Sequence, residues 1–224
     1  MQKATKESFK QLIVDTGMEM LATGLTVGTW GNISVRDPES GYIYISPSGM
    51  DYKIIKAHHV VVLTDTCELV EGECEPSIEK HMHAAVYRAR ADVNSVIHTH
   101  PIYSTPFGLT NTTMIGVSED FIQIVGDEIY PAYPYELPGT EELGVTAVNA
   151  LKGKNAVLLP GHGLLAVGSS LKMAFKICTV VEKNAQILLY TKLLGGEIRR
   201  FTQHEIDAMQ SFAKNHYGKM NQEM

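Results

Sequence analysis

Residues 95–101, Ser-Val-Ile-His-Thr-His-Pro, admit few conformations. The β-branched pair Val96–Ile97 favours a strand, and Pro101, which has no amide hydrogen, ends it. Residues i and i+2 of a strand share a face, so His98 and His100 present their rings side by side at a strand terminus that opens to solvent. That is the placement a tetrahedral metal ion needs from two nitrogen ligands. Alone, the pair fits exposed or structural histidines equally well.

A third nitrogen ligand is offered by His162, set between Gly161 and Gly163 in a turn joining two apolar runs. A structural turn usually selects Asn or Asp, which favours a ligand over a turn role. Three histidines leave one coordination position open, as in catalytic zinc sites. Glu79 is the fourth candidate. It falls at the start of a predicted helix over 77–90, with Ser77 as N-cap and His83 one turn on; a glutamate there also suits the positive end of a helix. The preceding Glu-Pro-Ser adds small polar residues and free amides of the kind that bind anions.

Alternation and turn punctuation give the rest of the chain. A helix is predicted over 6–25, stopped by Gly24, then a β-hairpin over 32–49 turning at Asp-Pro-Glu-Ser-Gly. Further strands are expected at 59–64, 95–100, 155–160 and 164–168, and helices at 140–153 and 170–196. Hairpin strands mixed with helices predict an α/β fold, one domain over 1–224 with a central, largely antiparallel sheet flanked by helices. Trp30 is expected to pack beside a phosphate-binding loop, His58 and His59 to lie on the surface, His83 to support the metal or the carboxylate, and His81 to be solvated.

The formal charge of −6 argues against nucleic acid or an anionic membrane as partner. No apolar run approaches a membrane span, and the first ten residues lack a signal-peptide core, so a cytoplasmic location is expected. Cys67, Cys74 and Cys178 share no metal-type spacing and are read as reduced structural thiols.

Taken in order, the segments 28–36 (GTWGNISVR), 45–52 (ISPSGMDY), 75–87 (EPSIEKHMHAAVY), 96–101 (VIHTHP) and 159–168 (LPGHGLLAVG) resemble the class II aldolase/adducin family. Within it the likeness is to aldolases that cleave ketose 1-phosphates and to their 4-epimerase relatives. The resemblance implies a zinc enzyme, with Mn²⁺ or Co²⁺ as acceptable substitutes, in which His98, His100, His162 and Glu79 bind the ion. It implies Glu79 as general acid/base and Asn32, Ser48, Gly49 and Ser77 as the holders of a sugar-phosphate substrate. It further implies a homotetramer in which Tyr217, and Asp120 where the aldolases carry a catalytic tyrosine, serve a neighbouring subunit's site. The implied reaction is cleavage to dihydroxyacetone phosphate and a small aldehyde such as lactaldehyde. Two departures stand out: Ile78 replaces a second serine before the glutamate, and Asp120 is shared with the epimerases. Epimerisation, or decarboxylation or dehydration of a sugar-acid or thio-sugar phosphate, therefore stays open as an alternative.

Overall fold

The computed structural model describes residues 4–215. Its centre is a seven-stranded antiparallel sheet. The elements run α1 (Glu7–Ala22), β1 (Asn32–Arg36), β2 (Ile43–Ile45), a 3₁₀ turn (Ala57–His59), β3 (Val61–Leu63), β4 (Leu69–Glu71), α2 (Lys80–Ala89) and β5 (Ser95–Thr99). They continue with α3 (Thr105–Leu109), β6 (Met114–Ile115), α4 (Glu119–Ile124), β7 (Glu128–Ile129), α5 (Glu141–Leu151), β8 (Ala156–Leu159), β9 (Gly163–Gly168), α6 (Leu171–Leu193) and α7 (Gln203–Asn215). The sheet order is β4-β3-β2-β1-β5-β9-β8, and β6 pairs only with β7.

Helices cover both faces of the sheet, which is why its strands are apolar on both sides. Ile33, Val35, Ile97, Leu164 and Ala166 join Ile13 and Met20 of α1 and Ile177 and Val181 of α6 in one cluster. Val96, Leu165 and Val167 alternate to the other face, with Met82 and Val86 of α2 and Leu143 and Ala147 of α5. The register sets Asn32 opposite His98 and Ser34 opposite Val96. Cross-strand partners share a face, so Asn32, Ser34 and His98 all point towards α2. Arg36 on the same face ties α2 down at its far end: its guanidinium donates to the carbonyls of Tyr87 (2.8 Å) and Ala91 (2.9 Å). Those carbonyls lack intrahelical partners, and a cation is favoured there.

The expected helices, hairpin and strands are present, with one correction at α2. Ser77 is not its N-cap: the helix starts at Lys80 and Glu79 occupies the cap position. The Ser77 amide donates to Ser46 instead (3.0 Å), beside a bridge between Pro47 and Pro76 that pins this segment to the hairpin. Among the described residues no helix is long and apolar enough to cross a membrane.

Gly163 opens β9 at the join with the His162 turn. A Cβ there would lie 2.1 Å from the Thr99 carbonyl oxygen, on the strand that carries His98. Gly163→Ala should therefore cost at least about 2 kcal/mol in urea denaturation and loosen metal binding, since β5 and β9 can no longer close on each other. Unchanged stability would contradict the packing.

Candidate metal centre and active site

His98 is fully buried on β5, His100 stands just past the strand end, and His162 occupies the turn between β8 and β9. Their rings meet at one point. The Nε2 atom of His98 lies 2.8 Å from that of His100 and 3.1 Å from that of His162. His98 Nδ1 donates to the Leu164 carbonyl (3.0 Å), which leaves its Nε2 lone pair facing the cluster. Burial lowers the pKa of all three: that of His98 falls well below the ordinary value, with His100 adding to the effect, and that of His162 falls to about 3. The rings are therefore neutral at pH 7, the form that binds metal.

Glu79 reaches the cluster from the N-terminal end of α2. Its Oε2 lies 3.4 Å from His98 Nε2 and its Oε1 lies 3.5 Å from His162 Nε2. Oε2 accepts the Asn32 side-chain amide (2.7 Å), whereas Oε1 is buried without a hydrogen-bond partner. A partnerless buried carboxylate oxygen beside three convergent imidazoles is expensive unless a cation joins them. The set of three nitrogens and one oxygen suits Zn²⁺ and is accepted by Co²⁺ and Mn²⁺. The residues fit a metal ion.

The same atoms face a cleft of about 460 Å³ whose walls include Ser48, Gly49, Ser77 and Ile78 on one side and Thr29, Trp30 and Gly31 on another. Among the described residues no lysine or arginine lines it. The amides of Ser48 and Ser77 are spent on the carbonyls of Glu75 and Ser46, so these residues offer their hydroxyls. Gly49 adopts φ +65°, a left-handed turn in which its amide makes no backbone bond among the described residues.

The other candidates fall as follows. Asn32 lines the cleft, but its side chain is held between Glu79 and His83, which distinguishes it from the serines as an anion contact. Asp120, in the first turn of α4, pairs with Lys183 of α6 (2.7 Å) and does not line the cleft. Tyr217 lies outside the described residues. Trp30 is not packed as expected: it is 64% exposed at the cleft mouth, its ring centroid 5.6 Å from that of His100. His83 does support the carboxylate, through Asn32. Sequence reasoning missed Ser34 and Tyr87, which continue that chain behind His83; the polar alternation of β1, with Asn32, Ser34 and Arg36 on one face, was the available signal.

The chain is similar to known proteins over most of its length. The family model "Class II Aldolase and Adducin N-terminal domain" matches residues 11–189. A 5-deoxy-D-ribulose 1-phosphate aldolase of Bacillus thuringiensis serovar kurstaki is 40% identical over 83% of this chain and 86% of its own length. The L-fuculose phosphate aldolase of Escherichia coli K12 is 34% identical over 87% and 88%. A solved L-fuculose 1-phosphate aldolase superposes with a TM-score of 0.89 at 35% identity, covering 94% of this chain and 98% of that one.

Burial holds the pKa of His83 at about 3, against 6.5 for a free histidine. Below pH 6.5 the unfolded chain takes up protons that the folded chain does not, so stability is present above that pH and drains as pH falls towards 3. Each such histidine contributes a slope of up to about 1.4 kcal/mol per pH unit. Urea midpoints of the metal-stripped protein should fall steadily from pH 7 to pH 5, and His83→Gln should flatten the slope. A flat wild-type profile would show that these rings are not buried neutral.

Proposed function

The chain belongs to the class II aldolase and adducin family, and from that premise we propose that it is a divalent-metal-dependent aldolase cleaving a ketose 1-phosphate to dihydroxyacetone phosphate and a short aldehyde. The observation that carries this reading is the convergence, in one cleft, of three imidazole nitrogens, a partnerless carboxylate oxygen and an anion-sized turn. His98, His100, His162 and Glu79 would hold the ion, with zinc the best match to the donors. When bound, the ion supplies Lewis-acid stabilisation of the negative charge that develops on oxygen as the carbon–carbon bond breaks.

The chain's own residues bind the phosphate and move protons. The hydroxyls of Ser48 and Ser77 and the Gly49 amide would receive the phosphate, which explains how an acidic protein holds an anion without a basic patch. Breaking the bond between the third and fourth carbons leaves an electron pair on the third. Glu79 delivers a proton to that carbon from Oε1, and removes it in the reverse reaction. The hydroxyl proton on the fourth carbon must leave as that oxygen becomes the aldehyde carbonyl. Tyr217 or Asp120 of a neighbouring copy in a homotetramer is assigned that transfer.

The named substrates of the relatives share this logic. L-fuculose 1-phosphate and 5-deoxyribulose 1-phosphate both yield dihydroxyacetone phosphate, and the remainders, lactaldehyde and acetaldehyde, both end in a methyl group. We infer that the substrate is one of these or a close terminal-deoxy analogue. Among the described residues no geometry favours epimerisation over cleavage, and the named relatives are aldolases. A cytoplasmic setting follows from a phosphorylated substrate.

Two outcomes are expected in a coupled assay for dihydroxyacetone phosphate. The zinc-loaded protein should release it from one of the two ketose 1-phosphates, and a chelator should abolish release until metal is restored. Glu79→Gln should keep most of the bound metal while losing at least about 100-fold in turnover, because the amide cannot carry the proton. Near-normal turnover in this variant would remove Glu79 from the mechanism.

A further inference from the structure

Behind Glu79 lies a chain of buried side chains that meets the cleft only at Asn32. Ser34 and His83 are fully buried, Tyr87 is 2% exposed, and Asn32 is 6% exposed. Asn32 Oδ1 is 2.6 Å from His83 Nε2, His83 Nδ1 is 2.6 Å from Ser34 Oγ, and Ser34 Oγ is 2.7 Å from the Tyr87 hydroxyl. Resting on the aldolase reading of the site, we propose that Tyr87, Ser34, His83 and Asn32 form a one-directional hydrogen-bond relay that positions Glu79, locking Oε2 and presenting Oε1 for proton transfer.

The direction follows from what each group can do. An ionised carboxylate only accepts, so the Asn32 atom facing Glu79 Oε2 is its NH₂ group. Its carbonyl oxygen then faces His83 and requires an N–H there, which places the ring proton on Nε2 and leaves Nδ1 as an acceptor. Ser34 must donate to Nδ1, so its oxygen is left to accept from Tyr87. Tyr87 is therefore the donor at the head of the row. Every donor points towards Glu79, and every alternative orientation leaves a buried donor or acceptor without a partner. No proton travels along this chain. Its role is to fix the carboxylate: with Oε2 tied, the carboxyl cannot rotate, and the oxygen left for the substrate carbon is always the same one.

His83 and Ser34 are thus positioning residues acting through Asn32. The loss of one such supporting group typically lowers activity 10- to 100-fold at a metal site. The test uses the full-length, zinc-loaded protein and dihydroxyacetone phosphate in D₂O, following exchange of its carbon-bound hydrogen by NMR alongside cleavage kinetics, metal content and thermal stability. His83→Leu should lower both the exchange rate and kcat by about 10- to 100-fold, with KM little changed and one metal per subunit retained. His83→Gln, whose amide can still donate to Asn32, should recover most of the exchange. Ser34→Ala, a smaller change that removes the donor to Nδ1 and the acceptor for Tyr87, should show an intermediate loss and guards against misfolding of the leucine variant.

Wild-type exchange in both His83→Leu and Ser34→Ala would overturn the relay, as would a Gln variant no better than Leu. Wild-type protein with metal bound but no exchange would instead overturn the aldolase reading, and the relay's role with it.

Discussion

The site depends on a polar seam buried between β1, β5 and α2. An interior this apolar accepts polar side chains only when each finds a partner, and here Asn32, Ser34, His83 and Tyr87 satisfy one another in a row. The seam exists because strand parity sends Asn32 and Ser34 to the face that α2 covers, while Ile33 and Val35 fill the opposite face. Arg36, two residues further along the same face, ties the C-terminal end of α2 to β1. The helix that delivers Glu79 is therefore fixed at both ends by one strand. The Glu79 carboxyl and the His98 ring occupy neighbouring positions for the same reason that Asn32 and His98 are cross-strand partners.

The electrostatics of the cleft differ from those of most phosphate sites. Among the described residues no lysine or arginine lines it, and the chain as a whole carries −6. Capture of a dianion would then fall to hydroxyls, one turn amide and the ion held by the histidines, which is a local arrangement in place of a long-range field. Such a site gains little electrostatic steering but discriminates by shape. Ile78, 60% exposed in the cleft wall, adds an apolar surface where a hydroxyl would otherwise stand, and Trp30 adds another at the mouth.

The parts of this arrangement differ in how far they could be read from the chain. His98 and His100 were legible because strand periodicity is a local rule, and His162 because glycines on both sides made it unusual in a turn. The central sheet followed from alternation and turn residues. The N-cap at α2 did not: Ser77 has the right side chain, but its amide is drawn to Ser46 across the hairpin, a contact between segments 31 residues apart. Asn32 was identified with the site, but its bonds to His83 and Glu79 were not legible because they span about fifty residues. Trp30 was expected to pack beside the phosphate loop, but it is 64% exposed, with its ring centroid 5.6 Å from that of His100. The two-residue strands β6 and β7 and the short helices α3 and α4 are too brief for periodicity to announce them.

The geometry also separates what a family of such aldolases can vary from what it cannot. The groups proposed to handle the metal, the phosphate and the transferred proton sit on β1, on β5, at the β8–β9 turn and at the start of α2, all at the centre of the sheet and coupled through the polar seam. Altering one disturbs the rest. The aldehyde half of the proposed substrate would be different: among the described residues the cleft wall offers no titratable group beyond Glu79, His100 and His162. On the proposed reaction, the second of two proton transfers would need a carrier other than these. Segments at the periphery can change without cost to the core, which is the physical basis on which relatives sharing this centre can act on ketose phosphates with different aldehyde ends.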